Sequence, residues 1–166
     1  MTGVQTCALP IFRFGTARCA LGTLLVAATP KGICAISLGD NAQKLVRELK
    51  HLFPHAAFIT ADRDFERLLK TVVGAIDRPA SRFDLPLDIR GTAFQQRVWQ
   101  ALRKIPAGST VTYTEIARRI GAPQAVRAVA HACASNTLAV AIPCHRVVRT
   151  TGELAGYRWG IEQIGR

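Results

Sequence analysis

The chain has 166 residues, 49% hydrophobic and 20% charged, enough apolar material for one domain or two small ones, which excludes a disordered or low-complexity polypeptide. Lysine and arginine number 22 against 11 acidic residues, and the formal charge of +11 either favours polyanions through Coulomb steering and counterion release or simply gives a basic surface. The five cysteines, Cys7, Cys19, Cys34, Cys133 and Cys144, are odd in number and lack the Cys-x-x-Cys pairs of zinc sites, so reduced thiols, no metal and a cytoplasmic setting are expected, and no apolar run is long enough to span a bilayer.

Residues 1–11 read as the translation of a sequencing adapter, and Ala8-Leu9-Pro10-Ile11 can be encoded by the reverse complement of codons for Ile164-Gly165-Arg166. Both stretches are therefore expected to be non-native and carry no fold expectation. From Phe12 to about Asp84 short strands and helices alternate, which predicts a small α/β domain over residues 12–84. Residues 23–29 and 33–38 are β-rich runs joined by the turn Pro30-Lys31-Gly32. Leu45, Val46 and Leu49 predict a helix over 41–52, and Phe65, Leu68, Leu69, Val72, Val73 and Ile76 predict another over 62–76. Arg78-Pro79-Ala80-Ser81 breaks that helix, and residues 85–89 return as an extended segment.

Residues 85–166 form the second predicted domain, mainly helical beyond Gly91. Thr92 and Gln95 offer a capping box for a helix carrying Phe94, Val98, Trp99, Leu102 and Ile105, which Pro106-Ala107-Gly108 stops. Thr112 and Glu115 offer a second box for a short helix ending at Gly121, and a third helix is expected from about Pro123 to Ser135. Two helices joined by Gly121-Ala122-Pro123 fit a helix-turn-helix, or an ordinary helical hairpin. Ala125, Ala128, Ala130 and Ala132 would let the third helix approach a narrow groove closely while offering little to read base edges.

The run Ile142-Pro143-Cys144-His145-Arg146-Val147-Val148 carries the chemistry. A lone cysteine is usually an inert buried thiol, but an imidazole and a guanidinium beside the sulfur favour the nucleophilic thiolate. Pro143-Cys144-His145-Arg146-Val147 resembles the active-site signature of O6-alkylguanine-DNA alkyltransferases. The stretch from Leu85 through Arg90-Gly91-Thr92-Ala93-Phe94 to Gln96 and the later Gly156-Tyr157-Arg158-Trp159-Gly160 are most similar to the C-terminal part of Ada-type proteins. The resemblance implies a ribonuclease H-like N-terminal α/β domain followed by a winged helix-turn-helix-like domain that carries the cysteine.

It implies irreversible, one-turnover transfer of a methyl or other alkyl group from O6-alkylguanine, and from O4-methylthymine, in double-stranded DNA to Cys144. The protein is expected to be monomeric and to need no cofactor. Through the resemblance His145 takes the thiol proton by way of water, and Asn136 is a hinge asparagine, a reading that stands beside that of a helix C-cap. Arg127 fills the stack vacated by the flipped nucleotide, Tyr113 abuts the target's 3′ phosphate, and Ala128 and Ser135 face DNA. Val147, Cys133, Tyr157 and Arg158 line or close the substrate pocket. Family members often have proline where this chain has Ala139, which bears on pocket breadth. The family's histidine-orienting glutamate falls beyond Arg166 by spacing, Glu162 being too early, so slow transfer is expected of the chain as given. The alternatives are a non-catalytic alkyltransferase-like lesion binder, disfavoured by the presence of Cys144, and a helix-turn-helix regulator, disfavoured by the alanine-rich third helix.

Overall fold

The structure, a computed structural model, is described over residues 10–78 and 84–150. Three strands, β1 (Ile11–Cys19), β2 (Gly22–Thr29) and β3 (Gly32–Gly39), are followed by α1 (Ala42–Leu52), β4 (Ala57–Thr60) and α2 (Arg63–Asp77). The sheet order is β3-β2-β1-β4, antiparallel except for the parallel β1–β4 pair. β2 and β3 read as nearly continuous apolar runs because both of their faces are covered. Leu25, Ala27, Cys34 and Ala35 pack on Leu45 and Leu49 of α1, whereas Leu24, Val26, Ile33 and Ile36 join Phe65, Val72 and Ile76 of α2 on the other face.

Local capping fixes the helix starts. Asn41 accepts from the Lys44 N–H, and Asp62 accepts from the Phe65 N–H at 2.8 Å, each satisfying a donor that the helix itself leaves open. The sequence pattern does not single out β1 or β4. Ile11, read from the sequence as non-native, is the first residue of β1 and pairs with Ala57; the pairing runs through the backbone, and the Ile11 side chain is exposed.

The second half contains α3 (Ala93–Arg103), β5 (Val111–Thr112), α4 (Tyr113–Arg119), α5 (Val126–Ala134) and β6 (Val147–Val148). The Thr92–Gln95 capping box forms with both of its hydrogen bonds. At α4 only the Thr112 half forms, because the Glu115 carboxylate pairs with Arg119 instead. Gly121 takes φ 75°, and the Ala122 N–H bonds the Ala117 carbonyl, a Schellman ending that turns the chain from α4 towards α5. α5 begins three residues after the predicted Pro123, since the Ala125 N–H closes a turn onto the Ala122 carbonyl. Trp99 of α3 donates its indole N–H to the Ala132 carbonyl of α5 at 2.9 Å, and Arg97 of α3 donates to the Ile120 carbonyl at the end of α4. The parallel β5–β6 pair supplies a small winglike element.

The halves share one apolar core running from Leu24 and Ile36 through Phe65 to Val98, Leu102, Ile116 and Ile142. They are also joined by backbone hydrogen bonds along the outer edge of β3. Ile33 exchanges bonds with Pro86 and Asp88 at 2.9 and 2.8 Å, and Ile36 exchanges bonds with Thr137 and Ala139 at 2.9 and 3.0 Å. Thr137 adds a hydroxyl bond to the Cys34 carbonyl.

Gly32 sits where the first of these segments crosses. Its φ is 148°, and a Cβ there would lie 2.6 Å from the Pro86 carbonyl oxygen, a backbone atom that cannot swing aside. Gly32→Ala is expected to destabilise the chain by about 2 kcal/mol or more, read as a lower midpoint in chemical denaturation.

Candidate active site

The candidate site is assembled from the end of α5, the segment that follows it, and the start of α4. Cys144 opens a single 3-10 turn, Cys144–Arg146, and is 8% exposed. Two tight turns deliver it there. The Ala141 N–H bonds the Ala139 carbonyl at 2.7 Å around Val140, whose φ is 65°, making a γ-turn of the rare positive-φ kind. For a β-branched residue this conformation costs about 1–3 kcal/mol. The Cys144 N–H then bonds the Ile142 carbonyl at 2.8 Å around Pro143, at φ −81° and ψ 66°, an inverse γ-turn that the proline ring favours.

Asn136, 1% exposed, organises this loop. Its side-chain oxygen accepts from the Leu138 N–H at 2.9 Å, and its Nδ2 donates to the Ile142 carbonyl at 2.9 Å and to the Cys144 sulfur at 3.4 Å. The C-cap of α5 is Ser135, so Asn136 is not that cap, and its side chain instead clamps the loop beyond it.

Burial pushes the Cys144 thiol up, and the Asn136 hydrogen bond together with the N–H groups of Cys144 and His145 only partly offsets it. Burial, followed by the nearby Arg146 charge, pulls His145 down to about 4. The resting pair near neutral pH is therefore a thiol and an uncharged imidazole. The sequence expectation, an imidazole and a guanidinium beside the sulfur favouring the thiolate, differs from this resting state because burial outweighs them. The Arg146 guanidinium donates to the Ile105 carbonyl, just past α3, at 2.8 Å, so it ties the turn that carries Cys144 to the end of α3.

Thr112, as N-cap, places Tyr113 at the first position of α4. Burial raises the Tyr113 hydroxyl, and so do the electrostatic effects of Cys133 and Cys144, which places all three groups around one locality. Cys133 is buried, and desolvation followed by Cys144 pushes it up to about 12. Val147 is buried in β6 opposite Val111. Arg127 and Ala128 are exposed in the first turn of α5, and Arg118 and Arg119 are exposed at the end of α4. Ser135 is half-buried and spends its hydroxyl on the His131 carbonyl at 2.9 Å. Tyr157 and Arg158 lie outside the described residues, as does Glu162. Sequence reasoning missed Thr137 and Val140. Thr137 is tied to a partner 103 residues away, and Val140 is a β-branched residue with no local signal for positive φ. Among the described residues no cluster of His, Cys, Asp and Glu could hold a metal ion, and no helix is long and apolar enough to cross a membrane.

Because the folded chain keeps His145 neutral down to about pH 4 while an unfolded histidine protonates near 6.5, the unfolded state binds the extra proton between those values. The contribution is complete above pH 6.5 and is lost as pH falls towards 4. The thermal midpoint is expected to drop over this window, and His145→Gln is expected to remove part of that drop.

Two family models match the chain. The 6-O-methylguanine DNA methyltransferase ribonuclease-like domain covers residues 12–89, and the DNA-binding domain of the same proteins covers residues 93–165. The bifunctional transcriptional activator/DNA repair enzyme Ada of Escherichia coli is 54% identical over 151 residues, 91% of this chain, which spans 43% of that relative's length. The inducible methylated-DNA–protein-cysteine methyltransferase of Bacillus subtilis is 35% identical over 82% of this chain and 77% of its own. The structure of Mycobacterium tuberculosis OGT in complex with DNA superposes with a TM-score of 0.67 at 34% identity, covering 89% of this chain and 83% of that one. With family models matching both halves in order over most of the chain, and with the Bacillus subtilis relative covered over 77% of its length, this chain belongs to the 6-O-methylguanine DNA methyltransferase family.

Proposed function

We propose that this chain repairs DNA by direct reversal, moving a methyl group from O6-methylguanine in duplex DNA onto Cys144 in one irreversible turnover. The observation that carries the reading is the buried Cys144 sulfur, held by Asn136 in the same core cluster as the inner faces of α4 and α5, whose outer positions carry the exposed Arg118, Arg119 and Arg127. The Bacillus subtilis relative is named for this transfer, and the mycobacterial structure holds DNA. A repair protein of this kind works where the DNA is, in the cytoplasm.

The lesion's methyl carbon is out of reach within the base stack, so the nucleotide must rotate out of the duplex. In this reading Arg127 occupies the vacated stack, the small Ala128 lets α5 approach the groove, Ser135 lies along the DNA face, and Tyr113 presses on the adjoining phosphate. Val147 and Cys133 line the pocket, and Tyr157 and Arg158 close it. The sulfur attacks the methyl carbon in line; the S–C bond forms, the C–O6 bond breaks, and its electron pair goes to the guanine. The thiol proton passes through His145 and finally restores the guanine ring N–H. A neutral imidazole can accept that proton, but a base held near 4 keeps it only briefly, so the net movement is from thiol to leaving base. Asn136 Nδ2, already aimed at the sulfur, favours the anion as it develops.

Intact mass after incubation with O6-methylguanine duplex DNA is expected to rise by one methyl group per chain and no further with excess substrate. Cys144→Ala is expected to gain none while still binding the DNA. An unchanged mass for the parent chain would instead support a lesion binder or a regulator. Arg127→Ala is expected to slow repair of duplex DNA by about tenfold or more, because only the duplex needs the vacated stack filled, and to leave reaction with free O6-methylguanine base near the parent rate.

A further inference from the structure

The geometry points to Val140 as a positioning residue for the Cys144 sulfur, acting through the strained γ-turn that it occupies. Resting on the methyl-transfer reading, this adds to it a residue outside the expected site. Val140 is the only non-glycine with positive φ among the described residues, and it lies four positions before the cysteine. Both ends of its turn are anchored. On one side Ala139 donates to the Ile36 carbonyl on β3 at 3.0 Å, and on the other the Ile142 carbonyl accepts from Asn136 Nδ2 at 2.9 Å.

A second bond spans the turn, from the Ile142 N–H to the Leu138 carbonyl at 3.0 Å. The Val140 side chain is half-buried and packs on the shared core, so the strain is offset by packing as well as by the two anchors. Conformations with negative φ would redirect the chain between fixed ends and carry Ile142, Pro143 and Cys144 away from Asn136. An unfavourable backbone state confined to one residue and enclosed by anchors is expected where the surroundings over-determine a geometry that matters. Here that geometry is the contact of Asn136 Nδ2 with the sulfur and the near-complete burial of the thiol.

The experiment compares the parent chain with Val140→Gly, Val140→Ala and Val140→Thr by two reactions of the same sulfur. One is single-turnover methyl transfer from O6-methylguanine duplex DNA; the other is alkylation by iodoacetamide, followed at Cys144 by peptide mass spectrometry. Thermal midpoints are recorded alongside. Glycine loses the packing and gains conformational freedom, so the sulfur should be misplaced for in-line attack and more open to a small reagent. Val140→Gly is expected to slow methyl transfer by about tenfold while iodoacetamide reacts several-fold faster, the two rates moving in opposite directions. Val140→Ala should lie between, and Val140→Thr, with the same branching and shape, should recover most of both rates.

If Val140→Gly does not fold, Val140→Ala carries the comparison. Unchanged rates would overturn the proposal, as would two rates that fall together or a raised thermal midpoint with no change at the sulfur. If the parent chain transfers no methyl group, the methyl-transfer reading fails, and iodoacetamide still decides whether Val140 positions the thiol.

Discussion

Four backbone hydrogen bonds along the outer edge of β3, two at Ile33 and two at Ile36, join the sheet to the helical half. An edge strand left open presents unpaired N–H and C=O groups, and here residues 86–88 and 137–139 meet them. The second segment begins at the residue after Asn136 and leads directly into the turns that carry Cys144. The position of the sulfur is thus referred to the sheet through short, directional bonds anchored on the fully buried Ile33 and Ile36. Gly32 is needed at this junction because the neighbouring backbone leaves no room for a Cβ.

The interior of the site carries little charge in a chain whose formal charge is +11. Burial holds Cys144, Cys133 and Tyr113 protonated and His145 deprotonated, and Arg146 is committed to a carbonyl. Arg118, Arg119 and Arg127 lie outside, at the solvent face of α4 and α5. On the proposed function the division separates two tasks that would interfere if combined: long-range attraction of a polyanion works best from the surface, whereas a neutral thiol and imidazole are stable where they are buried.

Features specified by neighbouring residues were legible in the sequence. Thr92 marked the start of α3 because a cap bonds within its own first turn, the apolar spacing of α1 and α2 marked those helices, and Gly121 marked the end of α4 because the turn there requires positive φ. Pro143-Cys144-His145-Arg146 pointed to the turn that the structure forms at Cys144. What was hidden depends on distant partners. β1 and β4 owe their pairing to backbone geometry; Arg146 looked like an electrostatic neighbour of the sulfur until Ile105 claimed it; and nothing local to Val140 announces its conformation. The Thr112–Glu115 pair shows the same limit at short range, since Arg119 one turn on competes for the carboxylate.

The bond from Thr137 to Cys34 spans 103 residues, and that span has a consequence for the order of events in folding. Bringing together segments so far apart costs loop-closure entropy that is recovered only when the sheet and the helical half have each formed enough surface to dock. Local units such as α2, with its aspartate cap, or the α4–α5 pair with its glycine turn, need no such wait. The clamp of Asn136 on the sulfur spans only eight residues and can form within its own loop, so what waits for docking is the anchoring of that loop to β3 through Ile36 and Cys34.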